Sequence, residues 1–175
     1  YATPLSEDNE GPAPEPAQGL LGTITLPPGT GPRHLTVNGH HLYIAGELDS
    51  RVHIVRWNPR NGTGEHIGSL PTLGAHTAAN TETNAPGEIT LHRLKVEGRV
   101  VADGDALPIT STYEGRVYVS NRGADVISTF AVRDEGARLE HLADTPVGAW
   151  PRHFTVVRGH GDQPDHLVAA AQNGD

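Results

Sequence analysis

Short apolar segments separated by turn-forming residues occupy most of the chain. Each segment is bounded by Gly, Pro, Asn or Asp, which is typical of strands joined by tight turns. No window of about eleven residues has a convincing helical period of apolar positions. The pattern therefore predicts an all-β protein. The predicted strands are Leu21–Leu26, His34–Val37, Leu42–Ala45, Arg51–Trp57, Glu88–Val96, Arg116–Ser120, Val126–Val132, Arg138–Leu142, Phe154–Val157 and His166–Ala171.

Three segments lack this pattern and are predicted as loops. Residues 1–19 are rich in Pro, Glu and Gly and have little to bury, so we expect a disordered or loop segment. Residues 74–87 are small and polar, and residues 97–112 contain Gly and Pro and are interpreted as a surface insertion. The folded part is expected to be residues 20–175.

A motif at the start of one predicted strand returns near the end of the chain. Pro32–Val37 has the sequence Pro-Arg-His-Leu-Thr-Val, and Pro151–Val156 has Pro-Arg-His-Phe-Thr-Val. The strand that follows also recurs, because Leu42–Asp49 is similar to Leu167–Asp175, with a more divergent copy at Val117–Asp125. Shared motif residues, and not spacing alone, therefore indicate an internal repeat.

Units of short strands repeated about every 45–60 residues are typical of β-propeller blades. We predict blade-like units at about 31–73, 84–147 and 148–175, and a partial propeller, because a closed ring needs about four to eight blades. A plain antiparallel sandwich is the alternative. The chain begins at Tyr1 and contains no Met, so we expect a fragment or a processed product. Its partners would be the missing blades of a longer chain or further copies.

Charge and composition exclude several classes of function. The chain has 13 Lys and Arg against 21 Asp and Glu, a net charge of −8, so we expect no nucleic-acid or anionic-membrane partner. No apolar run is long enough to span a membrane. The absence of Cys excludes disulfides, thiolate catalysis and Cys-ligated zinc.

Polar residues at the starts and turns of the units are candidates for a site, since these positions meet at one mouth of a propeller channel. Guanidinium groups pair bidentately with carboxylate or phosphate, so a small anionic substrate is expected. A histidine there could transfer a proton near neutral pH, and a glutamate could serve as a base or orient an arginine. The alternative is structural, with the arginines bound to backbone carbonyls of a neighbouring blade. The candidates are Arg33, His34, Glu47, Arg122, Arg152 and His153.

Nine of the eleven histidines lie outside these motifs, without the spacing of metal ligands. We predict that they are surface or loop residues and that the protein uses no metal and no cofactor. The sequence contains no His-Glu-x-x-His motif, no phosphate-binding Gly-rich loop and no Gly-x-Ser-x-Gly motif. The nine are His40, His41, His53, His66, His76, His92, His141, His160 and His166.

The order of the motifs resembles that of the seven-bladed β-propeller lactonases, which include bacterial-type 6-phosphogluconolactonase and the fungal 3-carboxy-cis,cis-muconate lactonizing enzyme. The resemblance covers residues 20–175 and about the second half of a family member. It implies about three blades of a seven-bladed ring. The motifs are Gly29–His34, Leu42–Leu48, Val117–Gly123, Pro151–Phe154 and Ala171–Asn173.

The resemblance also implies a metal-independent site at the central mouth. It carries Arg33, Glu47 and Arg122 onto family active-site positions. With His34 they are our predicted catalytic residues, while Arg152, His153 and Asn121 are predicted to bind substrate. A further family histidine comes from earlier blades and has no counterpart here.

The function expected from the resemblance is chemistry on a lactone ring. We expect hydrolysis of a sugar lactone such as 6-phosphogluconolactone by a cytoplasmic enzyme. One alternative is a cycloisomerase that forms a lactone from 3-carboxy-cis,cis-muconate. Two others are a noncatalytic propeller that serves as a binding or scaffold module and a calcium-dependent gluconolactonase-type propeller.

Overall fold

Antiparallel strands make up most of residues 22–93, 115–161 and 163–174, the part of the chain that the computed structural model describes. The first sheet contains β1 (Pro32–Asn38), β2 (His41–Gly46), β3 (Arg51–Asn58) and β4 (Thr63–Pro71), in that order. The second contains β5 (Ala85–Arg93), β6 (Gly115–Arg122), β7 (Val126–Arg133) and β8 (Arg138–Pro146), and the third pairs β9 (Pro151–Val157) with β10 (His166–Ala171). A short helix α1 (Ala75–Ala79) joins the first two sheets, and a 3-10 turn at Asp134–Gly136 joins β7 to β8.

The strand order in each sheet is the order of the strands along the chain, as in propeller blades. Successive units pack through their first strands, because β5 contacts both β1 and β9. The Leu91 N–H, for example, donates to Thr36 Oγ1 at 3.3 Å. The all-β, blade-like prediction is therefore confirmed.

The pairing of the first two strands brings equivalent residues of each unit to the same end of the inner strands. Pro32 pairs with Gly46 in the first unit, and Pro151 pairs with Ala171 in the last. In the middle unit Pro86 pairs with Asn121. The start of each first strand therefore lies beside the end of each second strand.

The turns that follow β2 and β6 have the same form. Gly46 pairs with Arg51 as Asn121 pairs with Val126. Ser50 and Asp125, which precede the third strands, both have left-handed backbone, with φ of 56° and 55°. Position 47 in the first unit therefore corresponds to position 122 in the second.

The main hydrophobic core lies between the two four-stranded sheets. Tyr43 and Phe130 are fully buried there. The hydroxyl of Tyr43 donates to the carbonyl of Gly136 at 2.9 Å, so this buried polar group also joins the two units. Apolar burial of this kind stabilises a fold by about 25 cal/mol per Å². The buried residues of the core are Tyr43, Ala45, Val52, Ile54, Ile89, Val117, Val119, Phe130, Val132 and Leu139.

Some predicted element boundaries were wrong. Residues 22–26 form no strand, although Leu21–Leu26 was predicted as one, and Leu21 lies outside the described residues. Ile24 and Leu26 instead pack on the cluster of Leu42, Ile44 and Val55. Their alternation with polar residues therefore reflects burial of two side chains, although this segment pairs with no strand.

The outer strand β4 was missed, and the loop predicted at 74–87 contains α1 and the first residues of β5. β5 begins at Ala85, before the predicted Glu88. The predicted loop at 1–19, the insertion at 97–112 and the predicted end of the Glu88–Val96 strand fall outside the described residues.

Candidate active site at one end of the inner strands

The candidate site is formed by three repeat positions, each filled differently in successive units. The second residue after the unit's first Pro is His34, Glu88 or His153, and the residue between them is Arg33, Gly87 or Arg152. The third position lies at the end of the second strand or directly after it, and it is Glu47, Arg122 or Gln172. The repeat thus gives the three units equivalent backbone positions, while the side chains at those positions differ in charge and in hydrogen-bonding groups.

Two of the predicted arginines contact the carboxylate of Glu47. Arg122 Nη2 donates a hydrogen bond to Glu47 Oε1, and Arg33 Nε lies 3.6 Å from the same oxygen. The hydrogen bond from Arg122 is the main reason that the pKa of Glu47 lies below its usual value. Partial burial opposes this shift, and the charges of Arg33 and Arg152 add to it. Glu47 is therefore an ionised carboxylate in a positively charged environment.

Arg33 has unused hydrogen-bonding capacity. Its Nη1 is buried and has no hydrogen-bond partner among the described residues. Leaving a buried charged donor without an acceptor is costly. Three guanidinium groups, those of Arg33, Arg122 and Arg152, act on the single carboxylate of Glu47. This part of the site therefore has two positive charges in excess and suits an anionic ligand.

Arg122 makes more hydrogen bonds within the protein than Arg33 does. Its Nε donates to the Ala85 carbonyl at 3.0 Å and its Nη2 to the Pro86 carbonyl at 3.1 Å. Its guanidinium carbon also lies 6.0 Å from the centre of the Trp150 ring, within reach of a cation–π contact. These contacts join the first two units and the start of the third, so Arg122 has a structural role in addition to its place beside Glu47.

Arg152 occupies the position in the last unit that Arg33 occupies in the first. Its Nη1 donates to Gln172 Oε1 at 3.2 Å, just as Arg33 faces Glu47. Because Gln172 is neutral, it does not offset the charge of Arg152 as Glu47 offsets that of Arg33. Arg33 and Arg122 thus contact Glu47 directly, while Arg152 acts on it only through its charge.

The predicted histidines are linked by a residue that sequence reasoning missed. Glu88 Oε2 lies 2.8 Å from Nδ1 of His34 and 2.8 Å from Nδ1 of His153. The signal for Glu88 was present, because Pro86–Leu91 is a degenerate copy of the Pro-Arg-His motif in which Glu88 takes the histidine position. The three inner strands therefore place one carboxylate between two imidazoles.

Asn121, a predicted substrate-binding residue, lies inside the second unit. It is fully buried, and its Nδ2 donates to the Val119 carbonyl at 3.1 Å and to Ser128 Oγ at 2.9 Å. Its Oδ1 accepts a hydrogen bond from Asn84 Nδ2 at 3.0 Å. These bonds occupy the amide, so we assign Asn121 no substrate contact.

The prediction that the remaining histidines are surface or loop residues was wrong for His53. This residue lies on β3 and only 1% of it is exposed. Its Nε2 is 2.8 Å from Asp49 Oδ2 and its Nδ1 is 3.1 Å from His66 Nε2. No group of three or more His, Asp or Glu side chains in the described ranges is arranged to hold a metal ion. No helix within those ranges is long and apolar enough to cross a membrane.

Comparison with curated proteins identified bacterial relatives of the chain. An uncharacterized protein of Staphylococcus saprophyticus is 31% identical over 160 residues, which cover 89% of this chain and 38% of that protein. An uncharacterized protein of Lactococcus lactis, YwcC, is 28% identical over 150 residues, which cover 84% of this chain and 36% of that protein. The chain thus spans less than two fifths of the length of these curated relatives.

Two bacterial proteins of known structure are similar to the described fold. A protein from Lactobacillus plantarum superimposes with a TM-score of 0.61 at 26% identity, covering 85% of this chain and 37% of that one. The periplasmic gluconolactonase PpgL of Pseudomonas aeruginosa gives a TM-score of 0.56 at 25% identity, and the match covers 85% of this chain and 35% of PpgL. Because PpgL is periplasmic, the similarity does not support the expected cytoplasmic location of this protein, which stays a prediction.

The family comparison covers most of the sequence. Residues 14–175 match the model described as lactonase, seven-bladed β-propeller. This match agrees with the blade-like sheets and with the order of the sequence motifs. The chain belongs to the seven-bladed β-propeller lactonase family.

Proposed function

We propose that this end of the inner strands binds a small polyanionic lactone and hydrolyses its ring ester, with phosphorylated sugar lactones such as 6-phosphogluconolactone as the substrate class. The observation on which the proposal rests is the buried Arg33 Nη1, which has no acceptor among the described residues. A phosphate or carboxylate oxygen of a substrate would supply that acceptor. The excess positive charge around Glu47 supports the same ligand class.

Lactone hydrolysis needs stabilisation of a negative charge on the carbonyl oxygen and a base for the attacking water. Attack of water on a lactone carbonyl places negative charge on the carbonyl oxygen, and fixed guanidinium donors stabilise such a charge. The water must also lose a proton, which near neutral pH is a task suited to histidine. Arg33 and Arg152 are assigned to the substrate anion or the developing oxyanion, and Arg122 to orienting Glu47.

Family membership supports lactone chemistry in general. The similarity to the Pseudomonas aeruginosa gluconolactonase supports hydrolysis of a sugar lactone. No observation on the described residues favours the muconate-lactonizing alternative, since that reaction would use the same arginines. Because the chain spans less than two fifths of its curated relatives, the proposal concerns the complete protein in which these residues occur.

The Arg33→Ala variant of the complete protein tests the proposal. Loss of a charge-assisted hydrogen bond costs about 1.5–3 kcal/mol, so we expect kcat/KM for 6-phosphogluconolactone to fall by about 10- to 100-fold. The fall should be much smaller for uncharged glucono-lactone if Arg33 binds the substrate anion. Initial rates on both lactones measure the difference.

Arg56→Ala is the matched control, because Arg56 is 61% exposed on β3 and lies 4.0 Å from Glu65. We expect it to retain the unmodified rates. An equal loss on both lactones in the Arg33 variant would contradict the anion-binding role. Failure of the unmodified protein to hydrolyse either lactone would contradict the function, and turnover of 3-carboxy-cis,cis-muconate would favour the lactonizing alternative.

A further inference from the structure

We propose that Glu88 is a positioning residue whose carboxylate fixes the imidazoles of His34 and His153, so that Nε2 of one of them accepts the proton of the attacking water. The inference deepens the proposed lactone hydrolysis and rests on it. The three inner strands each contribute one of these residues: β1 carries His34, β5 carries Glu88 and β9 carries His153.

The hydrogen-bond geometry defines the imidazole tautomer. Nδ1 of His34 and Nδ1 of His153 lie 2.8 Å from the same oxygen, Glu88 Oε2. An ionised carboxylate oxygen can only accept hydrogen bonds, so each Nδ1 that bonds to it is protonated and donates. In a neutral imidazole the other nitrogen, Nε2, is then unprotonated and can act as a base.

Glu88 is itself held in place. Its Oε1 accepts from the Ile89 N–H at 3.2 Å, and its own N–H donates to Ser120 Oγ at 2.8 Å. Only 12% of its side chain is exposed. A carboxylate anchored in this way on the middle strand can orient two rings without moving, which is the usual role of the carboxylate beside a catalytic imidazole.

The two imidazoles are open on the side away from Glu88. The side chain of His34 is 43% exposed and that of His153 is 64% exposed. Nε2 of neither ring has a hydrogen-bond partner within the part of the chain that the structure describes. Each histidine directly follows one of the arginines that are assigned to the substrate, Arg33 or Arg152.

Glu47 is a weaker candidate for the base. The hydrogen bond from Arg122 lowers the pKa of its carboxyl, and a carboxylate that holds its proton less tightly removes a water proton less effectively. Its Oε1 is also occupied by two arginines. Imidazole has the basicity that proton transfer near neutral pH requires.

The proposed hydrolysis proceeds by addition of water to the lactone carbonyl and then loss of the ring oxygen. Water oxygen bonds to the lactone carbonyl carbon while Nε2 accepts one water proton, and the carbonyl electron pair moves to its oxygen. The carbon–oxygen bond of the ring then breaks as that pair returns. The leaving ring oxygen takes the proton from Nε2, which yields the hydroxy acid and restores the neutral imidazole.

The kinetic test uses Glu88→Gln in the complete protein. This variant preserves size and an acceptor oxygen but removes the charge that stabilises an imidazolium. We expect kcat for 6-phosphogluconolactone to fall on the order of 100-fold, with KM changed by less than about twofold, because Glu88 is not assigned to the substrate. The matched control is Glu65→Gln, whose side chain is 74% exposed on β4 and should leave both constants unchanged.

A double-mutant cycle separates positioning from a general structural effect. His34→Gln and His153→Gln are measured alone and combined with Glu88→Gln. If Glu88 acts through the base, its substitution has little further effect in the variant that lacks that base. Additive losses in both histidine backgrounds, or a kcat within twofold of the unmodified value in Glu88→Gln, would overturn the inference while leaving the proposed function in place.

Nitrogen-15 NMR of the imidazoles gives a readout independent of turnover. At a pH where the rings are neutral we expect both to be protonated on Nδ1 in the unmodified protein, with signals assigned from the two single variants. We expect this preference to be lost in Glu88→Ala. Protonation on Nε2 in the unmodified protein overturns the inference. If the tautomers are as expected but no lactone is hydrolysed, the proposed function and the proton-transfer role fail, and the positioning by Glu88 stands.

Discussion

Two arginines share the carboxylate of Glu47, but the protein uses their hydrogen bonds to different extents. Arg122 donates to two backbone carbonyls as well as to Glu47, and its side chain is only 8% exposed. Arg33 has a buried nitrogen without an acceptor in the described part of the chain. Substitutions at the two positions should therefore affect different properties.

We expect Arg122→Ala to destabilise the protein. Breaking a buried ion pair by removing one partner costs about 3–5 kcal/mol. Here the Ala85 and Pro86 carbonyls would lose their donor, while Glu47 would keep Arg33 beside it. Since Glu47 is partly exposed, the lower end of that range applies here. Urea denaturation of the complete protein measures the change, with the exposed Arg138→Ala as the control. An unchanged unfolding midpoint would contradict the structural role of Arg122.

The motifs predicted the residues of the charged cluster but not their connections. Arg33, Glu47 and Arg122 could be found because each lies in a recognisable motif. The signal for Glu88 was weaker, since its copy of the motif has Gly87 in place of the arginine and Glu88 itself in place of the histidine. Its importance follows from the approach of two histidines from neighbouring units, which is a property of the three-dimensional arrangement.

At the scale of elements, one buried carboxylate joins β8 to its surroundings. Asp144 Oδ1 accepts from Ser128 Oγ at 2.6 Å and lies 2.8 Å from His141 Nε2. Its Oδ2 accepts from the Gly74 N–H at 2.9 Å, just before α1. Asp144 therefore connects two strands of the second sheet to the segment that links it with the first.

This carboxylate gives a pH-dependent prediction. Burial, the largest single effect, raises the pKa of Asp144, but the hydrogen bonds it accepts together hold the pKa below its ordinary value of 3.8. A lowered pKa in the folded state means that the stabilisation is present above the ordinary value and is lost as the pH falls through the folded pKa. We expect Asp144→Asn to lower the free energy of unfolding by about 2 kcal/mol at pH 7, and by progressively less below about pH 4.

Chemical denaturation at a series of pH values measures the difference between Asp144→Asn and the unmodified protein. Asp134→Asn is the control, because the Asp134 side chain is 62% exposed beside Arg138. A destabilisation of Asp144→Asn that stayed constant down to pH 3 would show that the lost stability does not depend on the ionised carboxylate.

The strands that sequence reasoning found and missed differ in a physical way. β2, β3, β6 and β7 contain runs of buried apolar residues, so their pattern was clear. β4 contains Gly64, Gly68 and Pro71 and has no fully buried residue, so its pairing with β3 is not visible as an apolar pattern. Ile24 and Leu26 show the reverse case, because their alternation reflects packing on a neighbouring sheet.

At the scale of the whole molecule, the repeat explains how the sequence could predict where the candidate residues lie. Equivalent positions of three units meet at one end of the inner strands, so a motif in one unit predicts the place of its copies. The side chains at those positions have diverged, and their divergence creates the charged cluster and the Glu88 bridge. The repeat therefore predicts where equivalent residues lie, while their charge and hydrogen bonding depend on the identity of each side chain.

The two outer units of the described fold expose apolar side chains. Leu35 is 54% exposed in the first unit, on the side of β1 opposite Thr36, which contacts β5. Val168 is 55% exposed on β10 in the last unit. In a seven-bladed ring, adjacent blades would cover such faces.

We therefore expect the 175 residues, expressed alone, to self-associate through these faces, because exposed apolar surface at both ends of a row of units favours head-to-tail contact. Sedimentation velocity over a range of concentrations measures this. The double substitution of Leu35→Ser with Val168→Thr should shift the chain toward its monomer mass of 18.6 kDa. Leu142→Ser, at a 44% exposed position on β8 of the middle unit, should not. A monodisperse monomer without any substitution would mean that these faces do not drive association.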